Sequence, residues 1–490
     1  MAAMTPARLL LLLFALAPAQ AAAPARIPPL SPTLVAIPEA TTGPPALTCA
    51  DALKLADEDR TSRDPVTQPT TTAAVPSAAD KRAAAAEKLP LARLVVGARP
   101  EDRARLPGFI PELLPLQPLE GPATALVAVG SVLQRAARGG HVRVSVFGAS
   151  HTAGDYFTGQ LRRSLQARYG DLGHGFVWPA DVVPQTRASD LNLCRSKGWR
   201  SDYVGQKKSR GDGLYGFAGA SVSSADPADF GWIETTHENP QGRRVSQVDL
   251  FTLGQPAGGT LLVTVDEAPP RAINTQKATL GLLWHRLVLP DGPHRVSVQP
   301  LGDGEVRIFG LSAERLGPGV IVDAMGINGR QARTWLEWEP TMAAQGLLAL
   351  APDLVILAYG TNEANDTDYH PEDYKRELRQ VLGKMRQGAP AAACVLIGPT
   401  DRARDLGGST YGIWPRTAPV AAVQREVAAE SGCAFWDWQL AMGGAGSAVG
   451  WRLHDPPLMA SDLVHLTEAG YAYSADRFLF AWEAAAGWIR

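Results

Sequence analysis

The sequence has almost no net charge, because its 47 lysines and arginines stand against 49 aspartates and glutamates. Proteins that bind nucleic acids usually carry a basic excess, so the composition gives no support to a nucleic-acid partner. The chain also has only four cysteines, and their spacing is not that of a zinc site. Beyond the N-terminus, no apolar run is long enough to span a bilayer.

Residues 1–21 are typical of a secretory signal peptide. Arg8 supplies the positive charge, Leu9–Leu16 is a short apolar core, and Ala19-Gln20-Ala21 fits a cleavage site of small residues. The sequence therefore predicts export to the periplasm or the extracellular space, with cleavage near Ala21. An uncleaved segment that tethers the protein to a membrane through its N-terminus is the alternative.

The four cysteines fit an oxidising compartment without proving one. Cys394 and Cys433 lie in two apolar runs that are predicted to be strands of the same domain. A disulfide between them and a pair of buried free thiols are both open. Cys49 and Cys194 could also pair, although Cys49 lies in a segment with the composition of a linker.

Beyond the signal peptide, composition and periodicity divide the chain into four parts. Residues 22–105 are rich in Ala, Pro and Thr and predict a largely disordered linker. Residues 106–189 and 316–490 show alternating strand and helix patterns, which predict a mostly parallel sheet covered on both faces. Residues 190–315 contain short strand-like runs separated by Gly, Pro, Asp and Asn, as in an all-β sandwich or jelly roll. We therefore expect a three-layer α/β/α domain, interrupted by an all-β module.

Ser150 follows a predicted strand in which Val142, Val144 and Val146 alternate with more polar residues. A helix is predicted to begin directly afterwards. A serine at such a junction is exposed at the edge of a sheet, where its hydroxyl can meet a substrate. The amides at the start of the helix can stabilise an oxyanion. A simple helix-capping role for Ser150 is the alternative.

Two later stretches also follow predicted strands. Gly326 and Gly329 lie in the sequence GINGR after the strand Val320–Asp323, and a glycine there lets the backbone approach a ligand closely. Asn362 follows the strand Leu354–Ala358 and can direct an amide N–H at a developing negative charge. Ordinary turn roles are the alternative for each residue.

A final stretch places Asp462 three residues before His465. An aspartate in that position can accept a hydrogen bond from one imidazole nitrogen. The other nitrogen is then left to take a proton from a serine. A histidine in an exposed loop is common, so Asp462 and His465 indicate a catalytic site only in combination with the other stretches.

In this order the four stretches resemble the blocks of the SGNH hydrolases, also called the GDSL-like esterase superfamily. The matching segments are Gly148-Ala149-Ser150-His151, Asn328-Gly329, Gly360-Thr361-Asn362-Glu363 and Asp462-Leu463-Val464-His465. The resemblance implies that Ser150 is the nucleophile, His465 the base and Asp462 the residue that orients it. It also implies an oxyanion hole made of the Ser150 and Gly329 amides and the Asn362 side chain. No metal or organic cofactor is implied.

The sequence departs from the family pattern at Ala149, where the first block usually has Asp. The second block is ambiguous, since Gly326 could replace Gly329 as the oxyanion glycine. The long stretch between Ser150 and Gly329 indicates that the β module is inserted into the esterase domain. This organisation resembles that of bacterial peptidoglycan O-acetylesterases, in which the inserted module is likened to a carbohydrate-binding module.

The resemblance implies an exported serine esterase that removes acyl groups, in particular acetyl, from a polysaccharide such as peptidoglycan. A polysaccharide O-acetyltransferase with the same triad is one alternative, because a sugar hydroxyl could replace water as the acceptor. A glycan-binding protein without catalytic activity is another. The sequence leaves the oligomeric state open.

Overall fold

The computed structural model describes residues 27–37, 47–61, 91–97, 99–182 and 186–489. The predicted signal peptide lies outside the described residues, and so does much of the predicted linker. Within the described residues, no helix is both long and apolar enough to cross a membrane.

A five-stranded parallel sheet forms the centre of the α/β part. In spatial order its strands are Gly319–Gly326, His141–Gly148, Leu354–Ala358, Ala393–Ile397 and Ala434–Trp436. Successive side chains point to opposite faces of a strand. Val142, Val144 and Val146 accordingly enter one hydrophobic core, and Phe147 enters the other.

Helices cover both faces of this central sheet. The core that contains Val144 is closed by Ala123–Ala137, Tyr156–Tyr169 and Glu468–Ala485. The opposite core is closed by Pro340–Leu350, Pro371–Gly388 and Thr417–Glu430. Shorter helices lie at Pro100–Ala104, Pro111–Leu113, Ser150–Ala153, Ala332–Glu337, Thr361–Ala364, Trp438–Ala441 and Ser447–Leu453. The predicted three-layer α/β/α architecture is confirmed.

Local sequence explains where two of these helices begin. Pro371 occupies the first turn of its helix, where the missing amide hydrogen costs nothing. Thr467 caps the last long helix, because its Oγ1 accepts a hydrogen bond from the Gly470 amide at 3.2 Å. Apolar residues three or four positions apart then bury one face of the helix that begins at Pro371: Leu378, Val381, Leu382 and Met385.

The inserted module consists of two sheets that share one hydrophobic core. The strands of the first are, in spatial order, Thr33–Val35, Gly281–Gly292, Val245–Gly254, Val306–Glu314, Ala220–Ser224 and Arg200–Tyr203, with Gly175–Val177 also paired to Val306–Glu314. The strands of the second are Arg271–Asn274, Thr260–Val265, Arg295–Pro300, Gly231–Thr235 and Leu191–Arg195. The predicted all-β insertion is confirmed.

Four pieces of the predicted linker have regular secondary structure: the short helix Pro100–Ala104 and three pieces that have partners far away in the chain. Thr33–Val35 adds a strand to the edge of the first module sheet. The helix Cys49–Thr61 is held to the module by a disulfide to Cys194. Ala92–Val95 pairs with Thr410–Ile413 in a small antiparallel sheet. Local composition does not reveal the distant partners of these three pieces.

All four cysteines are paired in the structure. Cys394 lies on the strand Ala393–Ile397, and Cys433 directly precedes the neighbouring strand Ala434–Trp436. Their Cα atoms are 4.9 Å apart, within the range that a disulfide requires. Of the two alternatives that the sequence left open for this pair, a disulfide and two buried free thiols, the structure has the disulfide. Cys49 and Cys194 join residues 145 positions apart.

Two buried ion-pair clusters connect the module to the α/β part. Arg143 on the second strand of the central sheet donates to Asp323 at 2.9 Å and to Glu314 of the module at 2.7 Å. Arg162 on the helix after Ser150 donates to Asp190, which directly precedes the module strand Leu191–Arg195, at 2.5 Å. Such pairs are fixed in geometry, because separating them would leave buried charges uncompensated.

Candidate active site

Ser150 begins a short helix directly after the strand His141–Gly148, at the carboxyl edge of the central sheet. Two glycines that lie opposite each other in register let this turn sit close to the sheet. A Cβ atom at Gly148 would lie 2.1 Å from Thr152 Oγ1, and one at Gly326 would lie 2.3 Å from the Ala153 amide nitrogen. Larger residues would therefore displace the turn that presents the serine hydroxyl.

Ser150, His465 and Asp462 form a continuous chain of hydrogen bonds. His465 Nε2 lies 2.8 Å from Ser150 Oγ, and His465 Nδ1 lies 2.6 Å from Asp462 Oδ2. Asp462 Oδ1 accepts hydrogen bonds from the amides of Val464 and His465, each at 3.0 Å. The loop turns tightly because Leu463 adopts a left-handed conformation with φ of 56°. An imidazole is thus held between a carboxylate and a hydroxyl.

The Asp462 carboxylate is held in its ionised form. Partial burial acts to raise its pKa, but hydrogen bonds from the His465 side chain and from two backbone amides outweigh that effect, and the pKa lies well below its ordinary range. An ionised carboxylate accepts the N–H of His465 Nδ1. This fixes the tautomer whose Nε2 can take a proton from Ser150.

His151 is a buried residue of the site that the sequence analysis did not single out. Its Nδ1 lies 2.8 Å from the Tyr471 hydroxyl, its Nε2 lies 3.3 Å from Thr400 Oγ1, and its ring centre lies 5.3 Å from that of His465. Burial, and then the neighbouring His465, lower its pKa to about 3, so the ring is neutral. The ring of His151 therefore packs against the imidazole of His465. Its place beside Ser150 in the first block was the available signal in the sequence.

The two glycines of the second block lie in different settings. Gly326 ends a strand and packs beneath the serine turn. Gly329 lies beyond it in an exposed turn with φ of 73°. Asn362 Nδ2 donates to the Arg330 carbonyl at 2.9 Å, which ties the third block to this turn. An asparagine amide has a second N–H, so one donor of Asn362 is left for a ligand.

The buried side chain of Glu363 also connects the loops of the second and third blocks. Its Oε1 accepts a hydrogen bond from the Ala332 amide at 2.7 Å, and its Oε2 accepts one from the Gly360 amide at 2.9 Å. Burial raises the pKa of Glu363 to about 7 although these amides act to lower it. This contact was not foreseen, because a glutamate next to Asn362 gives no sign in the sequence that it is buried.

One group of potential metal ligands occurs among the described residues, formed by Asp155, His174 and Asp190. Arg162 lies among them and donates to Asp155 Oδ2 at 3.1 Å and to Asp190 Oδ2 at 2.5 Å. A guanidinium in this position supplies the positive charge that the two carboxylates require. We therefore interpret the group as an ion-pair cluster that fixes the helix following Ser150.

The fold and the site together define a class of protein. A hydroxyl, an imidazole and a carboxylate lie in hydrogen-bonded sequence at the carboxyl edge of a parallel sheet, where α/β proteins bind their ligands. Loops that carry amide donors lie beside them. This is the arrangement of serine-dependent hydrolases.

Comparison with known proteins shows what the chain is similar to. Residues 302–473 match the GDSL-like Lipase/Acylhydrolase family. A solved structure described as a peptidoglycan O-acetylesterase in action is 28% identical, covers 76% of this chain and 99% of its own, and superposes with a TM-score of 0.63. Over residues 302–473 the chain is therefore similar to the GDSL-like, or SGNH, hydrolases, and together with the structural likeness this supports a carboxylic ester hydrolase. The family match begins after Ser150 and includes the other three blocks.

Other solved structures are more distant. A family two carbohydrate esterase from Cellvibrio japonicus is 14% identical, covers 61% of this chain and 99% of its own, and has a TM-score of 0.25. An acetyl xylan esterase is 16% identical, covers 33% of this chain and 81% of its own, and has a TM-score of 0.26. No curated protein sequence matches the chain.

Proposed function

We propose that the protein is an exported serine esterase that hydrolyses O-acetyl esters on a polysaccharide such as peptidoglycan. The observation that carries this proposal is the hydrogen-bonded chain from Asp462 through His465 to Ser150. The similarity to a peptidoglycan O-acetylesterase over three quarters of the chain supports the substrate class.

In the acylation step, His465 Nε2 removes the proton from Ser150 Oγ as this oxygen attacks the ester carbonyl carbon. The Asp462 carboxylate stabilises the imidazolium that forms. When the tetrahedral intermediate collapses, the bond to the sugar oxygen breaks, and His465 returns the proton to that oxygen. The sugar hydroxyl is released, and the acetyl group remains on Ser150.

The negative charge of the intermediate is held by the amides of Ser150 and Gly329 and by the free N–H of Asn362. Gly329 suits this role better than Gly326, which is packed beneath the serine turn. Water then attacks the acetyl-enzyme, with His465 again acting as the base, and acetate leaves. No step requires a metal or an organic cofactor.

The proposed site of action is the periplasm or the extracellular space, with the N-terminal segment as a signal peptide or as a membrane tether. The pairing of all four cysteines supports this location, because disulfides persist in oxidising compartments.

The test is hydrolysis of p-nitrophenyl acetate, butyrate and octanoate, followed by acetate release from O-acetylated peptidoglycan. We expect cleavage that is fastest with acetate, and a fall in kcat of about 10⁴-fold or more in Ser150→Ala. Ser131→Ala is the matched control, because this exposed serine donates only to its own helix, at the Ala128 carbonyl. Substantial activity in Ser150→Ala would refute the proposal.

A further inference from the structure

Arg402 is fixed between two of the loops that form the site. The Ala403 amide donates to the Leu463 carbonyl at 3.1 Å, inside the loop that carries Asp462 and His465. Arg402 Nη1 lies 3.5 Å from the Thr361 carbonyl, next to Asn362. Its guanidinium also lies 4.2 Å from the ring centre of Trp414. The cation is therefore held between the Thr361 carbonyl and the ring of Trp414, and its backbone is tied to the loop that carries Asp462 and His465.

The charge of Arg402 is poorly compensated by the protein. Among the described residues, no carboxylate pairs with it, and its buried Nε has no hydrogen-bond partner. Burial lowers its pKa to about 10, with only the fields of Asp462 and Asp401 opposing that effect. Asp462 is committed to His465, and Asp401 accepts hydrogen bonds from Gln439 and the Ala448 amide, each at 2.8 Å.

A second under-compensated cation lies on the other side of Asn362. Arg330 follows Gly329, its Nε donates to the Asn328 carbonyl at 3.2 Å, and its guanidinium lies 5.6 Å from the ring centre of Tyr203 in the module. Burial lowers its pKa as well. The described residues provide no ion pair for Arg330, so a second uncompensated positive charge lies in the loops of the site.

We propose that Arg402 binds a carboxylate of the substrate, so that the enzyme acts on acetylated glycans that carry a carboxyl group close to the ester. A guanidinium has five N–H donors in a planar fork that matches a carboxylate, and the contacts described above use one of them. A partly buried cation is stabilised most by a partner that brings the opposite charge. This inference rests on the proposed function and adds a specificity-determining residue to it.

The carboxylate could belong to the sugar ring or to an acidic substituent, and the experiment distinguishes the two. The substrates are an O-acetylated polyuronide and an O-acetylated peptidoglycan fragment, each with free carboxyl groups and after carbodiimide-coupled amidation. The readout is the ratio of kcat/KM for the free form to kcat/KM for the amidated form. We expect about a tenfold or larger ratio for at least one glycan, since a charge-assisted hydrogen bond contributes about 1.5–3 kcal/mol.

The variants are Arg402→Gln and Arg402→Lys, with Arg138→Gln as the matched control on an exposed helix end. Arg402→Gln should bring the ratio close to one. Arg402→Lys should keep part of it, because lysine keeps the charge but not the fork. The ratio for the wild type should also fall as salt is added.

A wild-type ratio near one for both glycans would overturn the proposal without any variant. So would an Arg402→Gln enzyme that loses the same factor on free and amidated substrates, because the residue would then only position the loops. Failure of the proposed function has a different signature, which is the absence of Ser150-dependent acetate release from either glycan in any form.

Discussion

Asp462 shows how three hydrogen bonds at one side chain determine the state of His465, the proposed catalytic base. Its two oxygens accept from His465 Nδ1 and from two amides. Asp462→Asn would keep the size of the side chain but would present an amide to Nδ1, which favours the tautomer with its proton on Nε2. We expect kcat for p-nitrophenyl acetate to fall by about 10³–10⁴-fold with the fold intact.

Asp373→Asn is the matched control for this experiment, because Asp373 is exposed on the helix Pro371–Gly388 and pairs only with Arg376. Its kcat should equal that of the wild type. If Asp462→Asn keeps more than a tenth of the wild-type kcat, Asp462 does not orient His465 in the manner that the geometry indicates.

Glu363 gives a prediction for stability against pH. Its pKa is about 7 in the folded protein against an ordinary 4.5, so its ionisation opposes folding. The stability it contributes is complete below about pH 4.5 and is lost as the pH rises through about 7, amounting to about 3 kcal/mol over that range. Glu363→Gln cannot titrate but also loses one acceptor for the Ala332 or Gly360 amide.

We therefore expect Glu363→Gln to be less stable than the wild type at pH 5, and the gap between them to shrink towards pH 8. The free energy of unfolding in urea, measured for both proteins from pH 5 to pH 8, provides the comparison. A gap that stays constant or widens with pH would show that Glu363 is ionised throughout this range.

At the level of single residues, the blocks in the sequence were sufficient to select Ser150, Asp462 and His465. In the structure His465 lies within hydrogen-bond distance of both other residues. Glu363 and Arg402 could not be selected in the same way. Glu363 stands out because burial raises its pKa, and Arg402 because its buried Nε has no hydrogen-bond partner. Both properties depend on contacts between loops that are distant in the sequence.

Gly326 illustrates how an element of the fold holds the site. It ends a strand of the central sheet, and a Cβ atom there would lie 2.3 Å from the Ala153 amide nitrogen and 2.7 Å from the Ala149 carbonyl oxygen. Gly326→Ala must displace the turn that carries Ser150. We expect about a hundredfold loss of kcat, because displacements of about 1 Å have such effects on reacting groups.

The matched control is Gly383→Ala, which lies in the helix Pro371–Gly388 where a Cβ atom meets nothing within 4 Å. That variant should keep full activity and gain up to about 1 kcal/mol in stability, since alanine favours a helix over glycine. Equal kcat values for Gly326→Ala and the wild type would contradict the tight packing beneath the serine turn.

Strongly apolar elements were predicted well, and short exposed ones were not. The strand Leu354–Ala358 has the same bounds in the sequence analysis and in the structure, because it is a short, continuous apolar run. The hairpin Ala403–Gly407 and Thr410–Ile413 was missed, since most of its first strand is exposed and lacks alternation. Gly175–Val177 was missed because its partner is the distant strand Val306–Glu314.

On the scale of the whole molecule, the module packs against the esterase part through an extensive shared core. The apolar side chains of both module sheets belong to the same core as one face of the central sheet. Arg143 crosses this junction, with its guanidinium bound to Asp323 of the central sheet and to Glu314 and Ser312 of the module. A module that shares a core in this way should unfold together with the esterase.

Arg143→Met tests this coupling. The variant keeps an apolar stem of similar length but leaves Asp323 and Glu314 buried without their counter-charge, which costs about 3–5 kcal/mol. We expect urea unfolding, followed by tryptophan fluorescence and by far-ultraviolet circular dichroism, to give one coincident transition in both proteins, with the variant less stable by that amount. Arg138→Met, at an exposed helix end, should change stability by less than about 0.5 kcal/mol. A shared core and a buried ion-pair cluster require the module and the esterase to unfold as one unit. Two separate transitions in the wild type would therefore contradict this coupling and show that the two parts fold independently.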